Sequence, residues 1–93
     1  MIYAYANIIV TAPESLAAYR DMAGDALAKH GGRVVQASPQ QTVLEGKRGE
    51  TGIGVILEFE TAEGAKSWIN DPELAEVHAL RCGAGQSTIT LLG

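Results

Sequence analysis

The first strand-like stretch of the chain, Ile2–Val10, is apolar at both odd and even positions, and only Asn7 interrupts it. Successive side chains of a strand point to opposite faces of a sheet, so this pattern predicts a strand that withdraws both faces from water. A sheet built around it needs a cover on each side. An ordinary surface sheet would instead alternate apolar and polar residues.

The chain has little material for two covers. Its 93 residues predict a single domain, residues 1–93, and a chain of this size buries only about 60 to 65% of its unfolded surface. Fourteen residues are alanine and 11 are glycine, and these add almost no side-chain surface to a core. A second copy of the chain is therefore expected to supply the missing cover.

Charge and composition argue against several partners and locations. The net charge is −4 and the seven basic residues are scattered, whereas nucleic-acid binding needs a clustered basic face. No basic stretch precedes the first apolar segment, and no apolar run approaches the ~18 residues of a membrane span. Cys82 has no second cysteine to pair with, and histidines are too few for a zinc motif. We expect a cytoplasmic, soluble protein without a metal site.

The second element is predicted to be a helix over residues 13–30. Thr11 and Glu14 have the spacing of a capping box, and Pro13 suits the first turn, where its missing N–H costs nothing. Gly31 and Gly32 can end the helix in a left-handed conformation. The stripe at helical spacing comprises Leu16, Tyr19, Ala23, Ala26, Leu27 and His30.

Further strands and a broken helix follow. Residues 33–37 and 42–45 are short β-branched runs on either side of a turn, residues 46–52 form a polar loop, and residues 53–59 alternate as a strand does. Thr61 is placed to cap a helix; Asp71 and Pro72 break it and begin a second segment that ends near residue 82. Residues 87–92 complete the pattern as a strand. The helical side chains predicted to point inward are Ala65, Trp68 and Ile69.

This order is the split βαβ arrangement of ferredoxin-like α+β domains, βαββαβ with an antiparallel sheet. Helices cover only one face of such a sheet. By alternation the other face carries Tyr3, Tyr5 and Ile9, or their even-numbered neighbours, together with Ile56 and Glu58. Because that face is too apolar to be left in water, we predict a homodimer in which two sheets pack face to face.

The sequence also resembles a known family over nearly its whole length. The shared features, in chain order, are Tyr19, Gly31-Gly32-Arg33, Val43-Leu44-Glu45-Gly46, Glu58-Phe59, Ala65, Trp68, Asp71-Pro72-Glu73 and Arg81. In this order and spacing they resemble the domain-of-unknown-function family 1330. The resemblance implies a dimeric α+β barrel, a superfamily that includes small monooxygenases, muconolactone isomerases and stress-responsive barrels. It also implies a site that needs no cofactor, although the family itself has no settled activity.

His78 and Arg81 are the first candidates for chemistry. They lie three residues apart on one helix, so they share a face and can present an imidazole and a guanidinium to an anionic ligand. In this interpretation His78 moves a proton and Arg81, which matches the family's arginine, holds a carboxylate. The alternative is a solvated or capping pair near a helix end.

Glu58 is the second candidate for proton transfer. Its carboxylate either pairs with Arg33 or Arg81, or has a pKa raised by burial, which is one way to make a general base. Glu45, within the family-like Glu-Gly pair, is either a binding residue or a residue that shapes the turn. Arg33 joins the candidate binding residues on the resemblance.

Aromatic side chains complete the candidate site. Tyr5, Tyr19 and Trp68 can line a pocket for a planar molecule, or they can belong simply to the core and an interface. Two functions therefore stay open. The protein either binds or converts a small aromatic or carboxylate-bearing molecule, or it is a non-catalytic ligand sensor or structural dimer. The residues do not decide whether it is an enzyme.

Overall fold

The computed structural model describes residues 1–47 and 49–93, and its element order confirms the predicted ferredoxin-like α+β fold. In chain order the elements are β1 (Ile2–Val10), α1 (Pro13–Ala28), β2 (Gly32–Ser38), β3 (Ile53–Phe59), α2 (Ala62–Asn70), a single 3-10 turn (Pro72–Leu74), α3 (Ala75–Gly83) and β4 (Gly85–Leu92). The four strands form one antiparallel sheet in the order β2-β3-β1-β4.

The cross-strand register decides which side chains share a face of the sheet. Tyr3 lies opposite Glu58 and Tyr5 opposite Ile56, while Arg33 of β2 lies on the other side of Glu58. Since side chains alternate along each strand, these residues share the face that no helix of the described chain covers, here called the open face. Its other main members are Asn7, Ile9, Gln36, Thr88, Thr90 and Leu92.

The core lies between the helices and the opposite face of the sheet. Phe59 and Trp68 pack there with ring centroids 5.7 Å apart, and both are buried. Gly32, the cross-strand partner of Phe59, leaves the room that the Phe59 ring occupies. The rest of the buried cluster consists of Ala4, Ala26, Leu27, Leu57, Ala65, Leu74 and Val77.

The start of α1 differs from the prediction. Its N-cap is Ala12, and no side-chain cap forms there, so the predicted capping box between Thr11 and Glu14 is wrong. The backbone N–H groups of Thr11 and Ala12 donate instead to the Ala84 carbonyl, at 2.7 and 2.9 Å. Main-chain hydrogen bonds to Ala84, at the junction of α3 and β4, therefore anchor the start of α1 where a side-chain cap was expected.

The other end of α1 is tied to the junction between α2 and α3. The helix ends at Ala28, two residues before the predicted end, and Gly31 adopts the left-handed conformation with φ 72°. Lys29 Nζ lies 2.7 Å from Asp71 Oδ2 and 2.6 Å from Glu73 Oε2, and His30 Nε2 lies 2.8 Å from the same Asp71 oxygen. This cluster joins the end of α1 to the segment between α2 and α3.

The remaining predictions are partly confirmed. The Thr61 hydroxyl accepts from the Gly64 N–H at 3.0 Å and the Asp71 carboxylate from the Glu73 N–H at 2.9 Å, as expected of the two caps. The strand predicted over residues 42–45 is wrong, because these residues form no ladder in the described structure. Arg48, in the predicted loop 46–52, lies outside the described residues.

Ile69 was predicted to point inward but is exposed, since only Ala65 and Trp68 of α2 reach the core.

No helix in the described part of the chain has the length and apolar character needed to cross a bilayer.

Candidate functional site

A cavity of about 330 Å³ lies between α1 and the helix-covered face of the sheet, and it is called here the helix-side cavity. Ala23 and Gly24 on α1 leave room along one wall. The volume falls in the range typical of small-molecule sites. The larger apolar side chains that line it include Ile8, Leu16, Leu27, Ile53, Leu57 and Ile89.

Among the described residues that line this cavity, two are charged, and both are arginines. Arg81 comes from α3 and is only 5% exposed, whereas Arg20 comes from α1 and is exposed. No aspartate or glutamate is among the lining residues that the structure describes. The helix-side cavity is therefore apolar with positive charge, which suits an anionic group on an apolar molecule.

Arg81 has fewer partners than a buried guanidinium usually has. Its Nη1 donates to His78 Nδ1 at 2.8 Å, while its buried Nε has no hydrogen-bond partner in the described structure. Its guanidinium carbon lies 5.3 Å from the centroid of the Trp68 ring and 5.7 Å from that of Tyr19, as in cation–π contacts. Within residues 1–47 and 49–93, no carboxylate reaches ion-pair distance of it.

His78 holds Arg81 from one side. Its Nε2 lies 2.8 Å from the Trp68 carbonyl oxygen, which can only accept, so Nε2 carries the proton and Nδ1 is the acceptor for Arg81. Burial lowers the pKa of His78 below its usual range, the Arg81 charge adds to this effect, and the Trp68 hydrogen bond opposes it. At neutral pH the imidazole is therefore neutral, with both ring nitrogens engaged.

Four of the predicted site residues thus meet at one end of the helix-side cavity. Spacing of three residues on α3 places His78 beside Arg81, as the sequence indicated. Trp68 belongs to α2 and Tyr19 to α1, so three helices contribute to this cluster. Tyr19 and Arg81 line the cavity itself, while Trp68 and His78 support Arg81 from behind.

Glu58 and Arg33 form a separate cluster on the open face. Arg33 Nε donates to Glu58 Oε1 at 2.8 Å, so of the alternatives for Glu58 the structure contains the ion pair with Arg33. That hydrogen bond lowers the pKa of Glu58 despite the opposing effect of burial. The hydrogen bond to Glu58 in turn raises the pKa of Tyr3. Glu58 is therefore ionised at neutral pH.

The other two candidates also lie away from Arg81. The Tyr5 hydroxyl donates to Gln41 Oε1 on the open face, and Gln41 Nε2 donates to Asn7 Oδ1 at 2.6 Å. Glu45 is exposed in the segment between β2 and β3. The sheet thus separates Tyr5, Glu58 and Arg33 from the helix-side cavity, and the predicted set divides into two groups.

Comparison with known proteins assigns the chain to a family. The family model described as "Domain of unknown function (DUF1330)" matches residues 1–93. The chain belongs to this family. The resemblance inferred from the sequence is thereby confirmed. Among curated proteins, none matches the chain significantly.

Solved structures support the fold of this DUF1330 domain. A protein of unknown function from Rhodopseudomonas palustris is similar at 22% identity and a TM-score of 0.77, over 98% of this chain and 79% of that one. Its methylated form gives a TM-score of 0.76, also at 22% identity, over 98% and 78% of the two chains. An uncharacterised NIPSNAP domain protein from Burkholderia xenovorans is similar at 15% identity and a TM-score of 0.60, over 100% and 93%. At these identities the likeness concerns the fold alone.

Sequence reasoning missed two residues of this DUF1330 domain. Arg20 lines the helix-side cavity but follows Tyr19 as an ordinary exposed helix residue, and nothing in its neighbourhood distinguishes it. Gln41 organises the polar cluster with Tyr5 and Asn7. The isolated polar Asn7 within an apolar strand was the available signal, because a buried amide needs partners.

Proposed function

We propose that the helix-side cavity binds a small molecule with an apolar body and a carboxylate, and that Arg81 holds the carboxylate. The observation that carries this proposal is the buried Arg81 Nε, which has no hydrogen-bond partner in the described structure. A buried charged donor without an acceptor is costly, and a bound carboxylate supplies both the acceptor and the counter-charge.

The walls of the cavity support the same class of ligand. They are mainly aliphatic, with Tyr19 as the aromatic member, so the body of the ligand is expected to be a hydrocarbon chain or ring. The Trp68 and Tyr19 rings hold the guanidinium of Arg81 in place before a ligand arrives. A preorganised anchor loses less conformational entropy on binding.

The geometry favours binding over proton transfer. Both ring nitrogens of His78 are engaged, so its direct role is to position Arg81 rather than to exchange a proton with a ligand. Glu58 lies across the sheet from Arg81 and is paired with Arg33. A catalytic form of the proposal would require His78 to exchange one of its present partners.

The test is titration with octanoate, followed by tryptophan fluorescence. Trp68 is the single tryptophan of the chain and lies against Arg81, so it reports on the site directly. Arg81→Gln is expected to weaken octanoate binding by about 10- to 100-fold, the effect of losing a hydrogen bond to a charged group. Arg81→Lys keeps the charge and is expected to restore part of the affinity.

Two controls separate a loss of the site from a loss of the fold. Octanamide has the same length without the charge, so its weaker binding should be insensitive to Arg81→Gln. Arg33→Gln removes an arginine on the open face and should leave octanoate binding unchanged. If Arg81→Gln keeps a native circular dichroism spectrum and binds octanoate as the wild type does, the proposal is wrong.

A second proposal concerns the open face, which favours a homodimer. Tyr3 is 42% exposed and its cross-strand neighbour Leu92 66% exposed, and Ile9 and Ile56 lie on the same face of the sheet. Contact with the same face of another copy would remove this apolar surface from water. A dimer could hold the cavity ligand or act as a purely structural module.

Sedimentation velocity tests the dimer directly. The expected mass is twice the 9.8 kDa of one chain at micromolar concentration. Ile9→Lys places a charge on the apolar surface of the open face and should shift the protein to monomer, whereas Arg81→Gln should leave the mass unchanged. A wild-type protein that sediments as a monomer would remove this proposal without affecting the octanoate test.

A further inference from the structure

We propose that the ligand of the helix-side cavity carries an anionic group at each end, the inner one held by Arg81 and the outer one by Arg20. This inference rests on the proposed function and narrows its ligand class to apolar dicarboxylates. It starts from the second arginine, Arg20, which the sequence pattern does not assign to a site.

The charge of the cavity lining is opposite to that of the chain. The protein has 11 acidic and seven basic residues and a net charge of −4. The charged residues lining the described cavity are nevertheless both arginines, and no acidic residue joins them. A cavity of this sign in an acidic protein attracts anions selectively, and one carboxylate would neutralise only half of its charge.

Arg20 is available to a ligand. Within the described chain it forms no ion pair. Its neighbours on α1, Asp21 and Asp25, line a different groove, beside Glu73 and Val77. The carboxylates of this helix therefore face away from the cavity while Arg20 lines it.

The two guanidinium groups differ in depth. Arg81 is buried on α3 and Arg20 is exposed on α1, so they mark an inner wall and a solvent-facing rim of the same cavity. Apart from the Tyr19 hydroxyl, the other side chains of the described lining are apolar. A ligand that satisfies both ends has a hydrocarbon middle and a carboxylate at each terminus.

The test compares octanoate with octanedioate, which has the same length and a second carboxylate. At pH 7.5 both acids are fully ionised. Octanedioate has two equivalent ends, which alone favours it by a factor of about two, and an exposed ion pair adds about two- to fivefold. Wild-type protein is therefore expected to prefer the diacid by about four- to tenfold, with the preference shrinking as salt is added.

Arg20→Gln should reduce that preference to about twofold, because only the diacid has a second carboxylate for Arg20 to hold. The matched control is Lys47→Gln, which removes one positive charge from an exposed loop residue outside the cavity lining and should keep the full preference. Arg20→Lys preserves the charge and should keep most of it.

The outcomes separate this inference from the proposed function. If octanoate binds through Arg81 but octanedioate shows only the statistical factor, or if Arg20→Gln leaves the preference intact, the second anionic end is wrong and the binding site stands. If neither acid binds wild-type protein at millimolar concentration, the proposed function fails and this inference fails with it. If Arg20→Gln weakens the binding of octanoate and octanedioate by the same factor, the assignment of Arg20 to the outer end is also wrong.

Discussion

Replacing Gly32 by alanine tests the packing that supports the candidate site. A Cβ atom at this position would lie 2.6 Å from Cε1 of Phe59 and 3.3 Å from a methyl carbon of Leu27. Gly32 does not have a positive φ, so alanine is compatible with its backbone and the clash is the main effect. Overpacking of this kind costs about 1 to 3 kcal/mol, and the lower entropy of the unfolded alanine chain offsets about 0.4 to 1 kcal/mol of it.

A second substitution makes the prediction specific. Phe59→Leu removes the ring edge that the new Cβ meets, at a cost of about 1 to 2 kcal/mol, less than the 3 to 5 kcal/mol typical of truncation to alanine. In the double variant the methyl group added at position 32 occupies space left by the ring. Its loss of stability should therefore be about 1 kcal/mol smaller than the sum of the two single losses.

Urea unfolding followed by far-ultraviolet circular dichroism measures all four members of this cycle at one protein concentration. Gly24→Ala is the matched control, because its added Cβ would meet no described atom within 4 Å beyond its chain neighbours and the backbone of its own helix, and α1 gains helix propensity. It should stabilise the protein by about 0.5 to 1 kcal/mol. If the double variant is additive to within about 0.3 to 0.5 kcal/mol, the packing argument at Gly32 is refuted.

Three further predictions concern groups outside this contact. The hydrogen bonds from Lys29 and, to a smaller extent, His30 hold the pKa of Asp71 well below its usual 3.8. Asp71 therefore contributes stability above about pH 4, and this contribution is lost as the pH falls toward the pKa of the folded state. Thermal unfolding measured against pH should show that Asp71→Asn is less stable than the wild type at pH 7 and loses less stability on acidification. Burial lowers the pKa of His78 in the folded state, so the unfolded chain takes up the proton first and the stability falls as the pH drops below about 6.5. In the same measurement His78→Gln should lack this pH-dependent loss of stability. Asn7 accepts from Gln41 Nε2 at 2.6 Å and from the Gly52 N–H at 3.0 Å, and Gln41 Nε2 also donates to the Gly52 carbonyl at 2.9 Å. Asn7→Ala therefore leaves the Gly52 N–H and one of the two Gln41 N–H groups without this acceptor and should cost about 1 to 3 kcal/mol in urea unfolding.

Sequence periodicity and spacing predicted correctly the features that depend on residues close together in the chain. The alternation in β3 put Phe59 on the core face and Glu58 on the other, and both positions are confirmed by the register. Thr61 and Asp71 cap their helices as expected, because capping depends on residues only two or three positions apart.

The errors lie where a distant part of the chain decides the outcome. The Thr11 side chain was expected to cap α1, but the Ala84 carbonyl takes the donors at that point. Residues 42–45 have strand-like composition, yet composition alone cannot supply a partner strand, and none pairs with them in the described chain. Such contacts are not encoded in local spacing.

The candidate site was predicted in part. The interval between His78 and Arg81 determines that they can meet, and they do. Tyr5 was placed with them, but alternation along β1 separates two faces without identifying which one the helices cover. The register places Tyr5 on the open face. The cavity beside Arg81 depends on how α1 lies over the sheet, which no single segment specifies.

The Ala84 carbonyl has a consequence for how this domain tolerates change. It receives the N–H groups of both Thr11 and Ala12, so main-chain atoms of these two residues fasten the entry of α1 to the junction between α3 and β4, and the Ser15 hydroxyl adds a bond to the Leu80 carbonyl. Substitutions of the Thr11 side chain should therefore be nearly silent, whereas a proline at residue 11 would delete a donor and loosen the hinge between β1 and the wall of the cavity. The side chain at residue 11 can therefore vary while these two main-chain bonds persist.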